Sequence, residues 1–496
     1  MRLSDVNRNV GLGALSLGFD QMSPGTESAI RGPTVWDYTT WLLALGVPIA
    51  ILLLTCWWGK VLPIGLAVAG VVLMITTVVR VEIGLFIMAA LIPWQSRTAI
   101  VEEGLTMIRA AGLLVLVGAL PRLLALRGPR FPLALKLAIA LVVWAFSSTL
   151  ANIRPPVLAG FLVQTPAMIG NIGFAFLIWR FCENRDSQVI LFVLILLGTA
   201  VACVGAFGTG GAVRIEYWEG VTVNRFARGL MLPLFLAPAL LKATRSKLAW
   251  TVVIGLVLII VVTLIRTGSR GAVGGVILGA MFFLITVPHS FRRGLPLLVV
   301  LALLAYGGWL AATKFGAGEL WQERMTSFAE GQVTRVHRWY VAAQIAMQNP
   351  LFGVGAGHEG YAFAESRSGF GYTESHSTLV TSLVVFGVPG LVIMLAYLAA
   401  VFMALWRLPK GYLRSGLLGL SLALVAESFT HNSLYDKSFW LAQGIFLAAT
   451  HFYGLAHGSP ESPDLALEKS PGAPTLAPVR TAPKANPTAL SRWSVP

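Results

Sequence analysis

The chain has 496 residues, is 56% hydrophobic and only 12% charged, and has a mean hydropathy of +0.75. Ordinary soluble domains carry about 25% charge, so the composition excludes a soluble enzyme and leaves a polytopic membrane protein. The net charge of +15 does not call for nucleic acid, because lysines and arginines collect in the cytoplasmic loops of membrane proteins.

Residues 1–40 mix Arg2, Asp5, Arg8 and Asp20 with glycines and lack a signal-peptide pattern, so they read as a cytoplasmic segment, with the first span as targeting signal. Apolar segments follow at 41–58, 61–79, 83–94, 108–120, 132–150, 157–179, 188–207, 226–241, 248–265, 271–288 and 294–311, then at 377–406, 413–430 and 438–456. A bilayer core of about 30 Å needs about 20 helical residues, for which 83–94 and 108–120 are short; the expectation is an all-α bundle of about 12–14 spans. The transmembrane blocks 41–311 and 377–456 enclose one large loop, 312–376, and the Pro-rich tail 457–496 reads as disordered and cytoplasmic. Cys56, Cys182 and Cys203 are scattered and odd in number, which implies neither a disulfide framework nor a metal site.

Basic residues fall in alternate loops: Arg122, Arg127 and Arg130; Arg180 and Arg185; Lys242, Arg245 and Lys247; Arg292 and Arg293; Arg407, Lys410 and Arg414. Those loops are expected inside. The other set, 151–156, 208–225, 266–270, 312–376 and 431–437, then faces out.

The outward set nevertheless carries arginines: Arg214, Arg225 and Arg228 before one span, Arg266 and Arg270 in the tight LIRTGSRGAVGG turn, and Arg324, Arg335 and Arg338 in the long loop. A guanidinium binds phosphate oxygens bidentately and never deprotonates. Ser269-Arg270-Gly271 also opens a helix, whose free N–H groups favour an anion. A lipid diphosphate at the outer face would satisfy the whole set. The alternative is that single arginines anchor helix ends at headgroups or pair with Glu216, Glu219 and Glu323.

In the long loop, Val336, Trp339, Tyr340, Ala343, Ile345 and Met347 recur at helical spacing, which predicts an amphipathic helix over 334–348 lying across the bundle mouth. Asn349-Pro350 ends it, and Gly353, Gly355 and Gly357 make a tight backbone turn, not a nucleotide motif. His376 stands at the mouth of the apolar run HSTLVTSLVVFGVPG. An imidazole there either sits passively at the interface, takes a proton from a hydroxyl group, or hydrogen-bonds a phosphate. His337, His358 and His376 lack metal-ligand spacing, so no metal is expected. Gly387, Pro389 and Gly390 predict a kink or close helix packing.

Three groups of residues resemble the O-antigen ligase family, which includes related surface-polysaccharide polymerases. His376-Ser377, nine residues and Gly387-Val388-Pro389-Gly390 match its His-containing pattern, with Ser377 where Asn is more usual. Arg335 to Trp339, followed by Asn349-Pro350-Leu351-Phe352-Gly353-Val354-Gly355, resembles its Arg-x-x-x-Trp helix and Gly-Val-Gly turn. Ser269-Arg270-Gly271, preceded by Gly220 and Asn224-x-x-Ala227, resembles its span opening. The likeness covers 190–400; earlier helices match only in hydrophobicity.

The resemblance implies an enzyme of the bacterial inner membrane that transfers glycan from an undecaprenyl-diphosphate carrier at the periplasmic face. The acceptor is lipid A–core for a ligase, or a lipid-linked repeat unit for a polymerase. It implies no metal, nucleotide sugar or other cofactor. His376 would be the base, and Arg270, Arg214, Arg225 and Arg335 would hold the donor diphosphate, Arg225 being an alternative to Arg214 in the loosely spaced loop. Ser377, Gly387, Gly390, Gly353 and Gly355 would shape the site. A transporter or flippase is the reading from another class; it would need charges at the membrane midplane, whereas these arginines lie at outward helix ends.

Overall fold

The computed structural model describes residues 70, 73–94, 107–125, 131–182, 184–208, 223–244, 246–287, 335–366, 371 and 373–456. The segments expected at 41–58 and 294–311, most of the one at 61–79, the loop bearing Arg214 and both terminal segments lie outside these residues. The chain divides into two units, Met1–Tyr453 and Gly454–Pro496; of the second, only 454–456 is described.

Every regular element among the described residues is helical. After a short helical run over 73–79 come α1 (Val81–Leu91), α2 (Met107–Ala125), α3 (Leu133–Ala151), α4 (Pro155–Phe181), α5 (Arg185–Gly208), α6 (Val223–Ala243), α7 (Lys247–Thr267), α8 (Arg270–Thr286), α9 (335–348), α10 (Glu359–Glu365), α11 (Thr378–Trp406), α12 (Tyr412–Ser428) and α13 (Lys437–Ala456). The apolar segments from 83–94 to 271–288 and from 377–406 to 438–456 each coincide with one helix, apart from a few residues at the ends. Within α3, α4, α5, α6, α7 and α11 lie six stretches long and apolar enough to cross a membrane, and α1, α2 and α8 hold shorter apolar ones. The result is an all-α, multi-pass bundle.

Small residues set the closest approaches. Ser246 caps α7 by accepting the Ala249 N–H at 3.3 Å, and Gly268, left-handed at φ 61°, ends it, so that α8 begins two residues later. Along α8, Gly271 abuts Thr430, Gly275 would bring a Cβ within 2.8 Å of the Ala423 carbonyl oxygen, and Gly279 abuts Gly419 of α12. Such stripes let helix backbones touch where no hydrophobic effect separates lipid from side chain.

The expected kink in α11 is a complete break at Gly387 (φ 71°, ψ −171°), a conformation essentially restricted to glycine. Together with Pro389, which has no N–H, it frees three carbonyls, and each finds a donor. Val354 N–H donates to Val384 O at 2.9 Å, Gly355 N–H to Val385 O at 3.0 Å, and the Trp144 indole to Phe386 O at 2.7 Å. The Ser148 hydroxyl also reaches Val385 O, at 2.9 Å, and Val388 N–H donates back to Pro350 O at 2.8 Å. The Pro350–Gly355 turn is therefore a plug in the broken helix. Trp144 stacks on Phe352 (5.3 Å, 10°) and Asn152 donates to Gly353 O at 3.0 Å, so α3 backs the plug.

Helix α9 covers 335–348, but its inward face is Val341, Ala342, Ile345 and Ala346. Of the residues at helical spacing, Ile345 is buried and Trp339 half-buried, whereas Val336, Tyr340 and Met347 are 60%, 60% and 71% exposed. The residues at helical spacing therefore divide between the covered and the exposed sides of the helix.

Candidate active site

The loops that the sequence groups together converge at one end of the bundle. The α3–α4 corner meets the plug through Asn152. The start of α6 meets the end of α12 through Arg228 and Glu427, and the start of α8 meets the α12–α13 loop through Gly271 and Thr430. The Thr378 hydroxyl donates to His431 O at 2.9 Å and accepts from Ser433 N–H at 2.8 Å, which joins α11 to that same loop.

His376 stands at this junction. It is the one described non-glycine residue with positive φ, 54°, a left-handed conformation that costs of order 1 kcal/mol in a non-glycine residue. Its neighbours hold it there. Ser377, at the N-cap of α11, sends its hydroxyl across to Ser428 O at 3.3 Å instead of capping its own helix. Ser375 is clamped on every side: its N–H donates to Glu359 Oε1 at 2.9 Å, its carbonyl accepts from the Trp339 indole at 3.2 Å, and its hydroxyl lies 2.9 Å from that of Thr381.

The His376 ring lies parallel to that of His431, with centroids 6.4 Å apart and planes 5° apart. Burial, then Arg338 and Arg335, pushes the His376 imidazole below its ordinary value. Burial and Arg228, with help from Arg225 and against Asp436, push His431 down to about 3. Both rings are therefore neutral near pH 7, and a neutral imidazole can accept a proton.

The cations gather around this corner. Arg335 opens α9, and burial followed by the fields of Arg270 and Arg338 lowers its proton affinity. Arg270 is the first residue of α8. Arg225 lies exposed in the first turn of α6 and acts on His431. The structure thus brings His376, Arg270, Arg335 and Arg225 to one end, adds Arg338, and places Gly353, Gly355, Gly387 and Gly390 behind them as the plug and break. Arg214 lies outside the described residues.

Arg228 departs from its expected role. It is fully buried, forks onto Glu427 with two 2.7 Å bonds and lies 3.2 Å from Asp436. It is a strut rather than an anion ligand. Asp436 in turn accepts Ser438 N–H at 2.8 Å and Phe439 N–H at 3.1 Å, capping α13. The strut fixes both ends of the loop that carries His431. His431, Glu359, Glu427 and Asp436 were missed by the sequence reading; two acidic residues in or beside the last apolar segments were the available signal, since charges at span depth need partners.

Among the described residues no cluster of three or more His, Cys, Asp or Glu is placed to hold a metal ion. A family model described as O-antigen ligase matches residues 254–395, from within α7 to within α11. That stretch contains Arg270, Arg335, the plug, His376 and the Gly387 break; Arg225 and the His431 loop fall outside it. No curated protein matches the chain.

Proposed function

We propose that the protein is a membrane glycosyltransferase that moves glycan from an undecaprenyl-diphosphate donor to a hydroxyl acceptor at the periplasmic face of the bacterial inner membrane, with lipid A–core as the acceptor. The observation that carries the reading is the neutral His376 imidazole held in a strained corner beside Arg335 and Arg338. The family match over 254–395 supports the same class.

In this reading Arg270, Arg335 and Arg225, with Arg214, hold the diphosphate. His376 takes the proton of the acceptor hydroxyl as its oxygen attacks the anomeric carbon. The bond from that carbon to the diphosphate breaks, and the carrier diphosphate leaves with its charge matched by guanidinium groups already in place. The imidazolium then releases its proton to water. The leaving group supplies the driving force, so the reaction needs no nucleotide.

The test is a gel of surface and lipid-linked glycans from a deletion strain carrying the wild-type or the His376→Ala gene. Long chains stranded on the carrier, with bare lipid A–core, are the expected result. Core capped by a single repeat, with no long chains anywhere, would make the protein a polymerase of lipid-linked repeats. An unchanged ladder would overturn the reading.

A further inference from the structure

We infer that Glu359 is a positioning residue for His376, acting through the Ser375 amide to hold the left-handed corner. The inference takes His376 as the reactive residue from the reading above. Glu359 opens α10, which follows the plug in the chain and packs directly against α11, and is buried. Its Oε1 accepts Ser375 N–H at 2.9 Å, and both its oxygens lie within reach of the Thr381 hydroxyl, at 3.2 and 3.1 Å. One carboxyl group thus ties together α10, the residue before His376 and the first turn of α11.

The backbone amide preceding a strained residue is an effective place to apply such a constraint, because rotation about Ser375 and His376 is what would release the left-handed φ. The groups facing Glu359 are Glu374, from the approach to the corner, and Tyr435, from the α12–α13 loop, whose enclosed hydroxyl has no hydrogen-bond partner among the described residues. Among the described residues, no cation is among the groups that set the Glu359 carboxyl. Burial first, and then the Glu374 carboxylate, push it up to about 7. Its ionisation near neutral pH changes what it offers the corner. The carboxylate accepts from Ser375 and Thr381 with full charge, whereas the acid must place a proton on one of its neighbours. His376 should therefore report two titrations, its own and that of Glu359.

The experiment uses the full chain in detergent, with diethylpyrocarbonate as the probe and peptide mass spectrometry to follow carbethoxylation of His376. The exposed His337 serves as internal reference. In wild type, reactivity at His376 rises as its own imidazole deprotonates and shows a further step near pH 7, the point to which the Glu359 carboxyl is raised. Glu359→Gln, which keeps the shape and one oxygen to accept from Ser375 N–H but cannot ionise, removes that step. Glu359→Ala changes the His376 rate several-fold while His337 is unaffected. Thr381→Val, which removes one of the two donors and leaves Glu359 in place, gives a smaller change in the same direction. Identical His376 rates and pH curves in wild type and all three variants would overturn the inference. A transfer assay on His376→Ala separates the two levels: transfer abolished with coincident modification curves removes only the positioning role, and transfer retained removes the functional reading.

Discussion

His376 and His431 face each other with ring planes 5° apart and centroids separated by 6.4 Å, and they belong to different segments that Ser377 and Thr378 stitch together through Ser428, His431 and Ser433. Burial first, and then nearby arginines with Asp436 opposing at His431, disfavour a charge on either ring. The site is therefore built to hold imidazole rather than imidazolium, as a base requires.

The first prediction concerns rate and pH. A base whose value is depressed below 6.5 is mostly neutral above 6.5. Transfer should rise with pH through an apparent value under 6.5 and stay level above it, apart from any contribution of Glu359. Arg338→Ala and Arg335→Ala should move the His376 inflection upward, because each removes a charge that lowers it. His376→Asn, a residue that tolerates left-handed φ, should keep the fold and lower transfer by about 10²–10⁴. The pH dependence of transfer in detergent, with lipid-linked glycan extracted from membranes, checks all of these. An inflection that stays put in both arginine variants would refute the electrostatic account.

The second prediction separates binding from structure among the arginines. Arg270→Ala should abolish transfer without loss of membrane insertion, since Arg270 stands at a helix opening in the site. Arg228→Met should instead fail in folding. It leaves Glu427 and Asp436 buried without their cation, which typically costs about 3–5 kcal/mol. Arg228→Met combined with Glu427→Leu should recover part of that loss. Thermal melting in detergent, read beside transfer, distinguishes the two arginines; equal melting temperatures for Arg228→Met and wild type would remove the strut.

These residues also mark how far the sequence could be read. The helices were legible because hydrocarbon thickness demands long apolar runs, and those runs are what the chain displays. The Gly387 break was legible because Gly387, Pro389 and Gly390 lie within four residues of one another. Arg228 was not: its partner Glu427 is 199 positions away, and nothing in the pattern around an arginine near a span end distinguishes an anion ligand from a strut. The helix α9 was legible from its spacing, but its covered residues were not, because periodicity marks apolar positions without saying which of them are covered. The plug was read as a turn of glycines, but the carbonyls that it satisfies belong to a helix on the other side of His376.

A third prediction follows from the plug. Gly387→Ala places a Cβ against the Leu351 carbonyl and forces a side chain into a glycine-only conformation, so it should lose more than about 2 kcal/mol of stability. Trp144→Phe keeps the stack on Phe352 and removes only the indole bond to Phe386 O. Its cost should be near 1 kcal/mol, or somewhat more because the buried carbonyl is left without that donor. Comparable melting temperatures for the two variants would mean that the break is held by something other than the plug.

The last prediction uses the sign of the Glu359 shift. Its folded value, about 7, lies above the ordinary carboxylate value of 4.5, so between those two points the native state binds more protons than the unfolded chain. By linkage, stability from this group is fully present below 4.5 and falls as pH rises through 7. The two histidines act in the opposite sense: their depressed values make the native state lose stability as pH drops below 6.5. Because both effects overlap from pH 4.5 to 6.5, the wild-type melting curve alone cannot assign them, but the difference between wild type and Glu359→Gln can. Glutamine carries no proton equilibrium, so relative to wild type it should gain stability steadily from pH 4.5 to 7 and hold that gain above. A difference in melting temperature that is flat across this range would show that Glu359 ionises in the folded protein as it does in water, and that its burial behind His376 has no electrostatic consequence.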